Sequence, residues 1–262
     1  MKIPSIGLGT WQNKGPKCAK SVSTALEMGY RHIDTAQAYD NEEYVGQGIE
    51  ESSVSRDDIF LASKVWNSNL SPEDVISSTR ESLDKLGVES VDLMYVHWPS
   101  GEYSAKETLE AFQEMKEEGM IENIGVSNFT PELLDEALRI APGIAANQVE
   151  MHPLLQQDEL LDYCQENDIY LVAYSPLARG EVFNVPEINQ VAEKHGVSEA
   201  QVSLAWLLEK ENVRVIPKAT SEEHIRDNLK ALDLELDEED IEKIDSIERE
   251  ERMVDPGFSP DW

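Results

Sequence analysis

Residues 59–97, IFLASKVWNSNLSPEDVISSTRESLDKLGVESVDLMYVH, contain two largely apolar stretches separated by a helical pattern. IFLASKV and VDLMYVH are typical of strands that are buried on both faces of a parallel sheet. Between them, Ser71 and Pro72 favour the start of a helix, and Gly87 favours its end. This stretch therefore predicts a strand–helix–strand unit whose two strands lie parallel.

The same alternation runs along the rest of the chain. Six further stretches have strand-like composition: SIGLGTW, RHID, NIGVSN, AANQVE, IYLVAYS and VRVIPK. Eight strand candidates separated by helices, with no long linker, predict one α/β domain over residues 1–262, folded as a (β/α)8 TIM barrel. An open, doubly wound sheet is the alternative, but Gly7, Gly9 and Gly15 lack the GxGxxG spacing typical of that fold.

The chain is strongly acidic, with 53 Asp and Glu residues against 22 Lys and Arg and a net charge of −31. The acids are spread over presumed helix faces and loops, which predicts a halophilic protein from a salt-rich cytoplasm, where the Debye length is only about 3 Å at 1 M salt. A docking surface for a basic partner is the alternative, but it would form one patch. Because no basic face is available to meet phosphates, we expect no nucleic-acid partner.

Several other classes of protein are disfavoured. No stretch approaches about 18 consecutive apolar residues and no cationic leader precedes a long apolar segment, so we expect a cytoplasmic protein without a membrane partner. Cys18 and Cys164 lie on helical patterns and are predicted to be buried, with a disulfide or redox role as the alternative. No Cys/His cluster has metal-ligand spacing, so we expect no metal, and we expect a monomer.

Four polar residues lie at the ends of predicted strands. Asp34 and Tyr39 follow the second strand, Lys64 lies in the third, and His97 ends the fourth. Because the carboxyl ends of barrel strands meet on one face, we expect these side chains to lie together. Burying Lys64 or His97 alone is unfavourable, which also favours mutual contact. Asp34 as a helix cap and Tyr39 as a turn residue are the alternatives for those two residues taken singly.

These four residue types suit proton delivery to a carbonyl group. A phenol with a pKa near 10 is a weak acid, but a neighbouring ammonium such as Lys64 is expected to lower that pKa. Asp34 would orient Lys64, and His97 would donate to the carbonyl oxygen. The set predicts reduction of a carbonyl whose carbon receives hydride from a nicotinamide.

Three stretches resemble the signatures of the aldo-keto reductase superfamily: GYRHIDTAQAYDNEEYVGQGI (29–49), MKEEGMIENIGVSNF (115–129) and VIPKATSEEHIRDN (215–228). The resemblance covers essentially the whole chain, and within the superfamily it is greatest to the prokaryotic 2,5-diketo-gluconate reductase-like branch. It implies a reductase of aldehydes and ketones, acting on small carbonyls or keto-sugars. Tyr39 would be the general acid, Asp34 and Lys64 would tune it, and His97 would position the carbonyl.

The resemblance also implies a binding site for NADPH, with NADH as a possible second cofactor. The implied cofactor residues, in order from the nicotinamide to the adenine, are Ser127, Asn128, Gln148, Tyr174, Ser175, Leu177, Lys218, Ala219, Thr220, His224, Asp227 and Asn228. Trp11 and Trp98 would line the substrate pocket. These residue types match the chemistry of that ligand: amide side chains suit the carboxamide, an aromatic side chain suits the nicotinamide ring, and a cation suits a phosphate.

Two features depart from the family pattern. Ala219 and His224 stand where the family usually has Ser or Thr and Arg, which weakens the expected preference for NADPH, although Thr220, Ser221 and Arg226 compensate in part. The first strand begins almost at Met1, and the segment after His97 is short, so we expect an open pocket that suits small or varied carbonyls. A cofactor-sensing or scaffold subunit with the same fold is the functional alternative.

Overall fold

The computed structural model describes residues 1–262 and contains one parallel sheet of eight strands. The strands are hydrogen-bonded in chain order, each to the next. They are β1 (Leu8–Gly9), β2 (His32–Asp34), β3 (Phe60–Val65), β4 (Leu93–Val96), β5 (Ile124–Ser127), β6 (Ala146–Glu150), β7 (Tyr170–Tyr174) and β8 (Val213–Val215). The predicted α/β class with eight parallel strands is confirmed.

Helices connect the strands and follow the last one. They are α1 (Pro16–Glu27), α2 (Glu42–Glu50), α3 (Pro72–Leu86), α4 (Ala105–Glu117), α5 (Pro131–Ile140), α6 (Asp158–Glu166), α7 (Pro186–His195), α8 (Glu199–Glu209), α9 (Glu222–Leu229) and α10 (Glu238–Asp245). Helix α3 has the predicted boundaries: the Ser71 side chain accepts from the Asp74 N–H, Pro72 begins the helix, and Gly87 ends it at φ 68°. Local capping chemistry therefore determines where this crossover starts and stops.

The strands are shorter than predicted, and β1 is the extreme case. SIGLGTW forms only the two-residue strand β1, although hydrogen bonds continue on both sides of it. The Gly7 N–H donates to the Val215 carbonyl at 2.8 Å, the Val215 N–H donates to Ser5 at 3.0 Å, and the Gly9 N–H donates to Pro217 at 3.1 Å. These bonds connect the first strand segment to the last one, so the two edges of the curled sheet touch.

Alternate strand residues pack into two separate apolar clusters. In β3, Phe60 and Ala62 belong to a small cluster with Tyr95, whereas Leu61 belongs to the large one. Because successive side chains point to opposite faces of a strand, the large cluster lies between the sheet and its helices and the small one lies on the inner face. Both faces are buried, as the apolar strand composition predicted.

The two cysteines are buried and free, as predicted for apolar side chains. Burial raises the pKa of the Cys18 thiol to about 11 and that of Cys164 to about 12. Both thiols therefore stay protonated near neutral pH and are poor nucleophiles. None of the helices is long and apolar enough to cross a membrane.

Salt is expected to stabilise this fold, because 53 acids face only 22 Lys and Arg residues. Some of these cations already form pairs, such as Arg80–Glu118 and Lys85–Glu81. Raising KCl from 0.1 to 2 M should raise Tm by roughly 5 °C or more, since screening weakens the remaining repulsion. Scanning calorimetry measures this, with sorbitol at matched osmolality as the control. An unchanged Tm would contradict repulsion as the cause.

The contact between the sheet edges makes Gly9 intolerant of a side chain. A Cβ at Gly9 would lie 2.6 Å from the carbonyl oxygen of Ile216. Gly9→Ala should lower the free energy of unfolding by about 1–3 kcal/mol, because the edges must separate to admit the methyl group. Urea titration of this variant should be compared with Gly257→Ala, where no atom lies within 4 Å of the added Cβ. Equal stability of the two variants would show that the edges are not in tight contact.

Candidate active site

Asp34, Tyr39 and Lys64 meet at the carboxyl end of the sheet, as predicted. The Lys64 side chain has no exposed surface. Its Nζ donates to Asp34 Oδ1 at 2.5 Å, to the Thr35 carbonyl at 2.8 Å and to Tyr39 Oη at 3.4 Å. The ammonium therefore has three oxygen partners, and one of them is a phenol.

Strand register brings these groups together. Asp34 ends β2 opposite Ala62 of β3, so Lys64 lies two residues further along the same face. Tyr39 follows β2 in a short turn of 3-10 helix, which Asp40 ends at φ 53°. Gln148 of β6 donates from Nε2 to Asp34 Oδ2 at 2.7 Å. Both carboxylate oxygens of Asp34 are thereby bound.

The pKa of Tyr39 shifts in the direction opposite to the prediction. Burial raises the pKa of the phenol well above its ordinary value, and the charge of Asp34 raises it further. The predicted lowering by Lys64 is wrong for this state because the carboxylate of Asp34 balances the ammonium. Tyr39 therefore keeps its proton while the cavity holds no developing charge.

His97 lies beside Tyr39, and its imidazole is neutral. The ring centroids of His97 and Tyr39 are 5.8 Å apart, and Trp66 packs edge-on against the other side of His97 at 5.2 Å. Burial lowers the pKa of His97 well below its ordinary value, and the positive charge of Lys64 adds to this. Its Nδ1 is buried without a partner. The other nitrogen, Nε2, is the one left to interact with a ligand.

A cavity of about 520 Å³ opens above these residues. Besides Asp34, Tyr39 and His97, the predicted residues that line it are Trp11, Trp98, Ser127, Asn128, Gln148, Tyr174, Ser175 and Lys218. Lys64 lies behind this lining, under Tyr39. We refer to this space as the catalytic cavity.

The residues predicted to hold a nicotinamide amide already form a hydrogen-bonded wall. Ser127 Oγ donates to the Gln148 carbonyl at 2.8 Å, and Asn128 Nδ2 donates to Ser127 Oγ at 3.0 Å. Tyr174 Oη donates to Asn128 Oδ1 at 2.9 Å. Asn128 has φ 64°, a left-handed conformation that Asn tolerates better than most residues. The backbone and its neighbours thus fix the amide wall before any ligand arrives.

A second cavity, of about 870 Å³, adjoins the first. Leu177, His224, Asp227 and Asn228 line it, and Lys218 lines both cavities. Arg179 adds another cation to the catalytic cavity. Two connected spaces with cations at their junction and amides at one end fit a dinucleotide with a central pyrophosphate. Ala219 and Thr220 line neither cavity, and Ala219 is buried.

Two of the groups expected to compensate for Ala219 and His224 already have partners. Ser221 Oγ accepts from the His224 N–H at 3.2 Å as the cap of α9. Arg226 pairs with Glu222 at 2.8 Å. The Arg226 guanidinium therefore has a competing partner, whereas the Ser221 hydroxyl can still donate and the Thr220 hydroxyl has no hydrogen-bond partner. A weakened NADPH preference stays a prediction.

The C-terminal tail, residues 246–262, supplies a wall that the sequence did not predict. Val254 and Pro256 line the catalytic cavity. Phe258 packs edge-on against Trp98, with ring centroids 5.4 Å apart, and Trp262 packs against the same ring at 6.3 Å. The expectation of an open pocket is therefore wrong on this side.

Six other residues that line the catalytic cavity were missed by the sequence analysis: Gly9, Thr10, Ala38, Trp66, Arg179 and Ile216. Trp66 follows β3 immediately, so the strand-end reasoning that selected Lys64 would have found it. Arg179 lies in the irregular segment after β7, where composition gives no comparable signal. No sequence signal identified Val254 and Pro256 either, because the tail lacks the periodic pattern of a helix or strand.

A sequence model of the Aldo/keto reductase family matches residues 5–249. The chain belongs to this family. Methylglyoxal reductase DkgB of Escherichia coli O157:H7 is 43% identical over 267 residues, covering 100% of both chains. Glyoxal reductase of Bacillus subtilis (strain 168) is 42% identical, covering 100% of this chain and 94% of that one.

Solved structures agree with this membership. A putative 2,5-diketo-D-gluconic acid reductase B has a TM-score of 0.96 at 36% identity, covering 99% of this chain and 94% of that one. An aldo-keto reductase from a Medee basin deep-sea metagenome library has a TM-score of 0.95 at 38% identity, covering 100% and 97%. The protein is thus an NAD(P)H-dependent oxidoreductase that reduces carbonyl groups.

The second cavity predicts a modest cofactor preference. The ratio of kcat/KM for NADPH to that for NADH should stay below about tenfold, and His224→Arg should raise it by about tenfold or more, through new charge-assisted bonds to the 2′-phosphate. Steady-state kinetics at matched salt measures both values. Ser77→Arg adds a cation on α3 and controls for net charge. A large NADPH advantage in the unaltered chain would contradict the inference.

Proposed function

We propose that Tyr39 is the general acid of carbonyl reduction in the catalytic cavity. The observation that carries this proposal is the 3.4 Å contact between Tyr39 Oη and Lys64 Nζ, with Asp34 behind the ammonium and His97 beside the phenol. Tyr39 combines a retained phenolic proton with a place on the cavity lining, whereas Lys64 lies behind that lining and both carboxylate oxygens of Asp34 are already bound. His97 orients the substrate by donating from Nε2 to the carbonyl oxygen.

Proton transfer follows from the charges around the phenol. Tyr39 Oη donates its proton to the carbonyl oxygen as negative charge develops there. The phenolate that remains is stabilised by the Lys64 ammonium, which is held in place by Asp34 and the Thr35 carbonyl. Asp34 itself is fixed by Gln148. Lys64 thus stabilises the phenolate formed by the proton transfer more than it lowers the pKa of the resting phenol.

The cofactor residues follow the two cavities. When bound, NADPH or NADH supplies the hydride for the carbonyl carbon. Ser127, Asn128 and Gln148 would hold its amide and Tyr174 its ring. The remaining contacts would come from Ser175, Leu177, Lys218, His224, Asp227 and Asn228, which line the two cavities.

Small dicarbonyls and keto-sugars are the proposed substrates. The relatives are named for methylglyoxal, glyoxal and 2,5-diketo-D-gluconic acid, and aromatic side chains such as Trp11 and Trp98 leave about 520 Å³ for the ligand. The seam between the first and last strand segments supports a closed barrel, and the continuous sheet supports a single domain over residues 1–262. The even acidic charge supports a salt-rich cytoplasm and a monomer kept apart by repulsion.

Tyr39→Phe tests the assignment. Removing the only acid at the carbonyl should lower kcat for methylglyoxal by at least about 100-fold while the Kd of NADPH changes less than about twofold. NADPH oxidation and fluorescence titration measure these quantities. Tyr163→Phe, on α6 and outside both cavities, is the matched control. Retained turnover in Tyr39→Phe would refute the mechanism, and tight cofactor binding without any carbonyl reduction in the unaltered chain would favour a sensing or scaffold role.

A further inference from the structure

A buried carboxylate that the proposed catalytic steps do not use binds the C-terminal tail. Glu150 ends β6, and its side chain has no exposed surface. Its Oε1 accepts from the Met253 N–H at 2.7 Å, and its Oε2 accepts from the Val254 N–H at 2.8 Å. His152 Nε2 lies 2.9 Å from Oε1 and must donate, because an ionised carboxylate only accepts.

The tail has few other fixed points. It contains no helix or strand, and Phe258 and Trp262 are 41% and 44% exposed, so their aromatic contacts are only partly buried. A backbone bond from the Glu251 N–H to the Leu154 carbonyl measures 2.8 Å, and the Ser246 and Ile247 N–H groups bond back to α10. Arg249 also pairs with Glu181 at 3.5 Å, but both side chains are largely exposed. Bonds to a buried carboxylate are stronger than neutral ones and than half-exposed aromatic contacts. Glu150 is therefore the principal attachment of the tail to the sheet.

The residues after this attachment fold as one unit. The Ser259 N–H donates to the Pro256 carbonyl at 2.8 Å, which turns the chain back. Trp262 Nε1 then donates to Asp255 at 3.1 Å, and the Arg252 guanidinium lies 3.9 Å from the Trp262 ring centroid. Because the unit is held together internally, the attachment at Met253 and Val254 determines where its cavity-facing side chains lie.

We propose that Glu150 is a positioning residue for substrate selectivity. By fixing the tail, it holds the lining residues Val254 and Pro256 in place, and Phe258 against the lining rings of Trp66 and Trp98. A bulky aromatic carbonyl substrate would contact this wall, whereas a three-carbon dicarbonyl is handled by Tyr39 and His97 alone. This inference rests on the proposed function of the catalytic cavity. The chemical class selected by the tail is an aldehyde or ketone bearing an apolar ring.

Glu150→Gln is the test, because it keeps the volume but leaves one amide N–H facing a backbone donor. The KM for 4-nitrobenzaldehyde should rise about tenfold, while kcat and KM for methylglyoxal and the Kd of NADPH change less than about twofold. Amide hydrogen exchange at Met253 and Val254 should accelerate in the protein without substrate. Asp240→Asn is the matched control, since Asp240 is an equally buried carboxylate bound by Lys194 and His195 away from both cavities.

A double substitution separates positioning from general destabilisation. Phe258→Ala alone should also raise the KM for 4-nitrobenzaldehyde, and combining it with Glu150→Gln should add little, because both changes remove the same wall. Additive effects, an equal rise for both substrates, or unchanged exchange at Met253 and Val254 would each overturn the inference. A wild-type chain inactive on both aldehydes would instead overturn the proposed function and the selectivity with it.

Discussion

The buried ion pair between Lys64 and Asp34 is the constraint on which the site depends. A buried ammonium is tolerated only when its partners are close and correctly oriented. Here the partners come from the end of β2 and from the turn after it, and Gln148 of β6 holds the second carboxylate oxygen. A shift of register in β2 or β3 would leave a charge unpaired, so the requirement for pairing and the requirement for catalytic geometry coincide.

The sequence predicted those parts of the fold that arise from regular, local patterns. Apolar strands and capped helices identified the eight repeating units, and α3 has the Ser71, Pro72 and Gly87 boundaries read from the chain. The meeting of Asp34, Tyr39 and Lys64 followed from the rule that parallel strands end on one face. Strand lengths could not be predicted from such local patterns. The pairing around β1 depends on backbone hydrogen bonds to the last strand segment, which is distant in sequence.

Other features depended on tertiary contacts that no local pattern encodes. The pKa of Tyr39 was predicted in the wrong direction because the sequence indicated the ammonium but neither the burial of the phenol, which raises its pKa most, nor the opposing charge of Asp34. His195, at the end of α7, lies 2.7 Å from Asp240 of α10, a contact between helices that are distant in sequence. The tail gave no periodic signal, so its place over the cavity became visible only in three dimensions.

The tail and the catalytic residues are held by different parts of the molecule. Asp34 and Lys64 are anchored in strands, where any insertion would disturb the register of the sheet, whereas residues 254–262 form no strand and follow their principal attachment at Glu150. Insertions, deletions and exchanges in this last segment leave the strands untouched. The range of substrates of such a protein can thus change, by evolution or by engineering, while the residues that transfer the proton keep their positions.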